Sequence, residues 1–191
     1  MKLILASTSA YRRMLLERLL IPFETAHPDT DETPLPGEAP DATAERLAAD
    51  KARAVAPAWP DALIIGGDQV AHIGGQVFGK PGSEERAIAQ LRQMSGQTVT
   101  FHTALALLNT RSGRLQIEGV PTQVRFRSLS EDEIRRYVAT ERPLDCAGSA
   151  KVEGLGITLL EALSGDDPTA LIGLPLIALS RMLRAEGLAL P

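Results

Sequence analysis

The sequence predicts an α/β fold built on a mixed β-sheet. Short apolar runs typical of strands alternate along the chain with segments whose apolar residues recur at helical spacing. Two long β-rich runs, Thr98–Asn109 and Arg114–Arg127, have Arg111-Ser112-Gly113 between them and predict a long antiparallel hairpin. Because this hairpin is embedded in the strand–helix alternation, we expect a mixed sheet rather than a wholly parallel one.

The first half of the chain is expected to begin with a strand and a helix. Leu3–Ala6 is an apolar run typical of a buried strand, and the apolar residues from Met14 to Leu19 recur at helical spacing after it. Asp41 is expected to cap a helix over 42–55, and an apolar strand over 61–68 is expected to stop at Asp68. The other elements expected here are a short strand ending near Ala26, an acidic proline-rich loop over 27–40, and a small hairpin of 70–73 with 76–78 that turns at Gly74-Gly75.

The second half is expected to contain three further helices around the long hairpin. Ser83 is expected to cap a helix that ends near Met94. The segment Ser130-Glu131-Asp132-Glu133 has the form of a capping box and predicts a helix through Val138. Residues 143–156 resemble a loop, residues 156–161 a strand, and Pro175 opens a last helix that fades near Gly187.

Composition excludes several classes of protein. The chain has 191 residues, enough for a substantial core, and its net charge of −4 gives no basic field for nucleic acid. A single cysteine excludes a disulfide framework, and His27, His72 and His102 lack the spacing of a zinc site. The N-terminal apolar run is too short for a signal peptide, and no run reaches membrane-spanning length. We therefore expect a cytoplasmic protein with no membrane and no nucleic acid among its partners.

The stretch that follows the first strand predicts a phosphate site. Ser7 and Ser9 lie between the apolar strand and the helix, so free backbone N–H groups and the positive end of the helix dipole meet there. Arg12 and Arg13 fall in the first helical turn, where the dipole disfavours cations unless an anion offsets them. Arginine binds phosphate oxygens in bidentate fashion. We expect Ser7, Ser9, Arg12 and Arg13 to grip a phosphate chain, the alternative being a solvated arginine pair.

Further charged residues could converge on the same polyanion. They are the acidic group Asp29, Asp31 and Glu32, the pair Asp68-Gln69, and the two lysines Lys51 and Lys80. Mg²⁺ commonly takes one or two carboxylates together with substrate oxygens, so Asp68 and Glu32 are expected to hold a divalent cation such as Mg²⁺ or Mn²⁺. The lysines would supply point charges. Taken alone, the lysines and the acidic loop could equally be solvated surface, whereas a carboxylate that follows an apolar strand favours function.

The stretch from Leu5 to Arg13 also resembles a known family. It reads Leu-Ala-Ser-Thr-Ser-Ala-Tyr-Arg-Arg and is similar to the opening motif Leu-Ala-Ser-x-Ser-Pro-Arg-Arg of the Maf family. The resemblance runs through nearly the whole order of elements. It implies one domain over residues 1–191, with an elongated, curved mixed sheet, flanking helices and two lobes around a central cleft, as in Maf and ITPase-like proteins. It also implies a nucleoside triphosphate pyrophosphatase, a hydrolase of nucleotide metabolism.

The same resemblance implies roles for single residues. Glu32 in Asp31-Glu32-Thr33 matches a family motif position, and the residue that matches Asp68 acts in the family as a general base or a metal-linked carboxylate. Lys51 and Lys80 complete the implied catalytic set. We leave the choice between the two roles of Asp68 open.

Three departures from the family pattern point to a branch of it. Members selective for uridine or thymidine triphosphate tend to carry Arg, Thr and Gln where this chain has Tyr11, Gln69 and Glu153. These changes resemble the branch that hydrolyses 7-methyl-GTP. Methylation at N7 makes guanine cationic, and an aromatic face such as that of Tyr11 attracts a stacked cation by about 0.5–2 kcal/mol. The Glu153 carboxylate can accept from both guanine donors, N1–H and the exocyclic amine.

The sequence therefore predicts a metal-dependent pyrophosphatase that removes 7-methyl-GTP from the nucleotide pool. Two alternatives remain. The first is the same chemistry on dTTP or UTP, or on a noncanonical triphosphate such as one with a deaminated purine. The second is a nucleotide-binding regulator of septum formation that needs no turnover. We leave open whether the protein forms a homodimer.

Overall fold

A computed structural model describes residues 1–191 and contains a seven-stranded mixed sheet flanked by five α-helices. The predicted α/β class with a mixed sheet is confirmed. The strands are β1 (Lys2–Ala6), β2 (Glu24–Ala26), β3 (Ala62–Ile73), β4 (Gln76–Val77), β5 (Thr98–Asn109), β6 (Leu115–Phe126) and β7 (Leu160–Ser164). The helices are α1 (Ala10–Glu17), α2 (Pro40–Val55), α3 (Glu84–Met94), α4 (Glu131–Glu141) and α5 (Leu176–Ala185).

The strand order explains why both parallel and antiparallel pairs occur. The order is β2-β1-β3-β5-β6-β7, with β4 pairing to β3. The strands β2 and β3 both run parallel to β1, as expected where a helix connects successive strands. The long hairpin of β5 and β6 was predicted within two residues of its observed ends, and β7 pairs antiparallel to β6.

The chain divides into two compact units, of which the first comprises residues 1–69, 103–120 and 167–191. Alternate residues of β1 and β3 face opposite sides of the sheet in this unit, as strand geometry requires. One face packs against α1 and α5 through residues such as Leu5, Ile65 and Leu179. The other face packs against α2 through residues such as Ile4 and Ile64. Helices therefore cover both faces of the sheet in this unit.

The second unit comprises residues 70–102 and 121–166. Here α3 packs against α4, and the apolar faces of these helices are buried. The predicted capping box is present, because the Ser130 side chain accepts from the Glu133 backbone and the Glu133 side chain accepts from the Ser130 backbone. None of the helices of the chain combines the length and the apolar character that a membrane span needs.

Three predicted boundaries are wrong. The strand β3 does not stop at Asp68 but continues to Ile73, so Asp68 lies within it. The helix α2 begins at Pro40 with Ala39 as its N-cap, because proline suits the first helical turn, so Asp41 lies inside the helix rather than at its N-cap. The strand predicted over 156–161 is largely a 3₁₀ turn (Leu155–Leu159), and β7 begins only at Leu160.

Candidate active site

The connection from β1 to α1, residues 7–9, contains two serines whose hydroxyls accept from nearby backbone N–H groups; we call it the serine loop. Ser9 is the N-cap of α1, and its Oγ accepts from the Arg12 backbone N–H at 3.4 Å. The buried Ser7 Oγ accepts from the Ser9 backbone N–H at 3.1 Å. The two hydroxyls therefore fix the loop at the start of the helix, where α1 presents its positive end.

Arg12 is held by contacts within the protein rather than extended into solvent. Its Nε donates to the carbonyl oxygen of Gly173 at 3.0 Å, and its Nη1 donates to Ser7 Oγ at 3.4 Å. Gly67 of β3 leaves room for it, since a Cβ there would lie 3.3 Å from Arg12 Nε. The guanidinium is thus fixed before any ligand arrives.

Lys51 of α2 lies between two carboxylates. Its Nζ is 2.6 Å from Asp68 Oδ1 and 2.6 Å from Glu32 Oε1. The side chains of Lys51 and Asp68 are only 8% and 16% exposed, so their attraction is screened little by solvent, whereas Glu32 is 56% exposed. Gly66 allows this approach, because a Cβ there would lie 2.0 Å from the Ala48 carbonyl oxygen of α2.

The positive charges of Arg12 and Lys51 are offset by the negative charges of Asp68 and Glu32. Burial lowers the pKa of Arg12, while the nearby charges of Asp68 and Glu32 raise it. Arg12 therefore belongs to the same electrostatic group as Lys51 and its two carboxylates. Because two cations face two carboxylates, this group by itself carries no net charge to attract a polyanion.

The remaining candidates of the first unit occupy different environments. Arg13 is exposed and pairs with Glu17 at 3.1 Å, and Tyr11 is half-buried in the first turn of α1. Gln69 Nε2 lies 2.8 Å from Thr103 Oγ1, 3.0 Å from Leu171 O and 3.2 Å from Ala170 O. The Gln69 amide nitrogen thus contacts protein acceptors. The roles predicted for Arg13 and Gln69 toward a substrate stay predictions.

The second unit carries the two other candidates on loops. Lys80 is exposed after β4, and Glu153 is exposed in the segment between α4 and β7. Displacement of water by surrounding protein atoms raises the pKa of Glu153, and the like charges of Glu141 and Asp145 add to this effect while Lys151 opposes it.

The loop of Glu153 is fixed by one carboxylate of α4. Glu141 Oε1 lies 2.9 Å from Lys151 Nζ, and Glu141 Oε2 accepts from the Leu155 backbone N–H at 2.7 Å. A Cβ at Gly154 would lie 2.6 Å from Glu141 Oε2, so a larger residue there would displace the Glu141 carboxylate. Glu141 therefore holds the chain on both sides of Glu153.

Comparison with known proteins identifies the family. The family model that describes Maf-like proteins matches residues 2–186 of this chain. The chain belongs to the Maf family. The 7-methyl-GTP pyrophosphatase of Aromatoleum aromaticum is 70% identical over 190 residues, which is 100% of this chain and 98% of that protein. Proteins of the same name from Polaromonas sp. and Burkholderia thailandensis are 59% and 61% identical, with 98% and 97% of this chain covered and 86% and 88% of theirs.

A solved structure agrees with the fold of this Maf protein. The Ham1 protein of Staphylococcus aureus matches with a TM-score of 0.55 and covers 97% of this chain and 100% of its own. The two sequences are 13% identical, so this likeness concerns the fold alone. It is consistent with the predicted Maf and ITPase-like architecture.

The donors of this Maf protein suit a hard divalent cation. No group of three or more His, Cys, Asp or Glu side chains is arranged as a metal site. Mg²⁺, however, commonly takes one or two carboxylates and completes its shell with water and substrate oxygens. Asp68 and Glu32 provide two carboxylates that meet at one lysine nitrogen, which fits this mode of binding.

Sequence reasoning missed several contacts that organise the site. The carbonyl oxygens of Ala170, Leu171 and Gly173 contact Gln69 and Arg12, and Thr103 Oγ1 lies 2.8 Å from the Ala170 oxygen. Every residue has a carbonyl group, so no residue type marks these positions. The one residue type that could have marked this segment is the glycine at position 173, because its φ of +127° favours glycine.

Proposed function

We propose that this Maf protein is a nucleoside triphosphate pyrophosphatase that hydrolyses 7-methyl-GTP to 7-methyl-GMP and pyrophosphate. The water oxygen forms a bond to the α-phosphorus, the bond from that phosphorus to the bridging oxygen breaks, and pyrophosphate leaves. The observation that carries the proposal is identity of 59–70% over nearly the whole chain to proteins named for this activity. The protein would act in the cytoplasm on free nucleotides and remove a modified one from the pool.

The serine loop and Arg12 would bind the phosphate chain. Backbone N–H groups and the helix dipole at the start of α1 favour an anion there. Two nitrogens of Arg12 already contact Gly173 and Ser7, so the guanidinium is oriented before binding and loses little freedom on meeting phosphate. Arg13 is paired with the exposed carboxylate of Glu17 and would bind the phosphate chain once phosphate displaces that carboxylate.

Asp68, Glu32 and Lys51 would perform the chemistry. Because the cations and carboxylates of this group offset one another, a polyanionic substrate needs a further positive charge, and a divalent cation held by Asp68 and Glu32 would provide it. Such a cation, when bound, would neutralise charge on the phosphates and make the attacking water more acidic. Asp68 would orient the attacking water, and Lys51 would fix both carboxylates. Lys80 would add positive charge for the leaving pyrophosphate.

Tyr11, Gln69 and Glu153 would select the base. The Tyr11 ring would stack on the cationic methylguanine, and the Glu153 carboxylate would accept its two donors. The contacts of Gln69 with Thr103, Ala170 and Leu171 suggest that it acts on selectivity by fixing the backbone at the site rather than by touching the base.

The reaction can be tested with 7-methyl-GTP in water labelled with heavy oxygen. We expect pyrophosphate release and heavy oxygen in the 7-methyl-GMP, since attack occurs at the α-phosphorus. Release of inorganic phosphate with 7-methyl-GDP would contradict the proposed reaction. Binding of 7-methyl-GTP without turnover would favour a nucleotide-binding regulator instead.

A further inference from the structure

The segment between β7 and α5 is closed by one buried carboxylate. Asp167 is 4% exposed, and its Oδ1 lies 3.0 Å from the Thr169 backbone nitrogen and 2.7 Å from Thr169 Oγ1. Its Oδ2 accepts from the Ile177 backbone N–H at 2.7 Å, in the first turn of α5. Asp167 therefore joins the start of the segment to the start of the helix.

Thr169 closes the segment from inside. Its Oγ1 accepts from the Leu176 backbone N–H at 2.8 Å and lies 2.9 Å from the Leu174 carbonyl oxygen. The Gly173 backbone N–H donates to the Ala170 carbonyl oxygen at 2.9 Å. The backbone between Thr169 and Leu176 is thus fixed by hydrogen bonds, and those at its two ends are made by Asp167 and Thr169.

This fixed segment presents carbonyl oxygens to the candidate active site. Arg12 Nε donates to the Gly173 oxygen at 3.0 Å. Gln69 Nε2 contacts the oxygens of Leu171 at 3.0 Å and Ala170 at 3.2 Å. Both residues lie in the unit that contains Asp167.

We propose that Asp167 is a positioning residue that sets Arg12 for phosphate binding by holding the Gly173 carbonyl in place. The inference rests on the proposed role of Arg12. A purely structural cap on α5 would stabilise the fold but would act equally whether or not Arg12 is present. Coupling between Asp167 and Arg12 therefore separates the two roles.

The test is a double-mutant cycle of Asp167→Asn and Arg12→Ala, measured as kcat and KM for pyrophosphate release from 7-methyl-GTP. The Asn amide keeps the size of Asp but replaces one acceptor oxygen by a donor. We expect Asp167→Asn alone to raise KM about tenfold with a smaller change in kcat, the effect of losing roughly one strong hydrogen bond. In the Arg12→Ala background, the same substitution should change KM by less than about twofold.

Glu186→Gln is the matched control. Glu186 is also a buried carboxylate of the first unit, and it accepts from Asn109 Nδ2 and Gln116 Nε2, each at 2.7 Å. We expect this variant to lose thermal stability while KM stays within about twofold of the wild type.

The outcomes are distinguishable. If Asp167→Asn raises KM by the same factor with and without Arg12, the positioning role is overturned while the proposed phosphate role of Arg12 stands. If Arg12→Ala itself leaves KM unchanged, the proposed phosphate role fails, and the inference with it. Should Asp167→Asn not fold, Thr169→Ala takes its place in the cycle, and Thr169→Ser, which keeps the hydroxyl, should restore the wild-type KM.

Discussion

The two compact units carry their candidate residues in different ways. In the first unit, Arg12, Lys51 and Asp68 lie on α1, α2 and β3, and protein contacts hold each of them. In the second unit, Lys80 and Glu153 lie on loops and are exposed. Reactions at phosphate depend on charges fixed in advance by rigid elements, whereas selectivity can be changed by a side chain on a loop. We therefore expect substitution of Asp68 to abolish turnover and substitution of Glu153 to change which base is accepted.

The largest expected effect is that of Asp68→Asn. The amide keeps the size of the carboxylate but loses the charge that orients water or holds a cation, so kcat for 7-methyl-GTP should fall about 10²–10⁴-fold. Asp61→Asn, at an exposed carboxylate paired with Arg111, is the control and should leave kcat unchanged. Thermal unfolding of both variants checks the fold. Near-normal turnover of Asp68→Asn would show that Asp68 has no part in the chemical step.

Removal of divalent cations should be nearly as severe. With Arg12 and Lys51 offset by Asp68 and Glu32, this group of four side chains has no net positive charge to offer a triphosphate. Activity should vanish with a chelator and return on adding Mg²⁺ or Mn²⁺. Full activity after exhaustive dialysis against chelator would show that the side chains alone carry the phosphate charge.

Glu153→Gln should change selectivity more than turnover. Its amide can accept from one guanine donor, but its NH₂ group leaves the second unpaired, which costs about 1–3 kcal/mol. The ratio of kcat/KM for 7-methyl-GTP to that for UTP should fall by roughly one to two orders of magnitude. Glu161→Gln, an exposed carboxylate paired with Arg125, is the control. An unchanged ratio would mean that Glu153 does not read the base.

The smallest expected effect is a pH dependence of that ratio. Because the pKa of Glu153 is raised, its carboxylate is protonated at a higher pH than an ordinary glutamate and loses its acceptor role early as the pH falls. The ratio for 7-methyl-GTP over UTP should decline as the pH is lowered from neutrality toward the range in which an ordinary glutamate titrates, since ionisation of the phosphates is shared by both substrates. In Glu153→Gln the ratio should be constant over this range, and a parallel decline there would assign the effect to another group.

The sequence sufficed for the fold class and for the charged residues of the first unit. Asp68 was predicted because a carboxylate after an apolar strand is distinctive, and Glu32 and Lys51 were predicted through the family resemblance. The structure places Lys51 Nζ 2.6 Å from a carboxylate oxygen of each of the other two. The position of Asp68 inside β3 was missed. The apolar run ends near that residue because side chains there become partly exposed, yet the backbone continues as a strand to Ile73.

Long-range backbone contacts were beyond sequence reasoning. Arg12 and Gly173 are 161 positions apart, and the acceptor is a carbonyl that any residue could supply. Asp167 likewise resembles any acidic loop residue until its burial and its contact with Ile177 are known. Such contacts depend on how the segments pack, which local patterns do not encode.

One competition experiment tests the proposed activity most directly. Equal concentrations of 7-methyl-GTP, GTP, UTP and dTTP are mixed with the enzyme and Mg²⁺, and the four monophosphates are followed by mass, so their initial rates give the ratios of kcat/KM. We expect 7-methyl-GMP to form at least about tenfold faster than GMP, which lacks the cationic ring, and faster still than UMP or dTMP. Formation of UMP or dTMP ahead of 7-methyl-GMP would contradict the assignment of this protein as a 7-methyl-GTP pyrophosphatase.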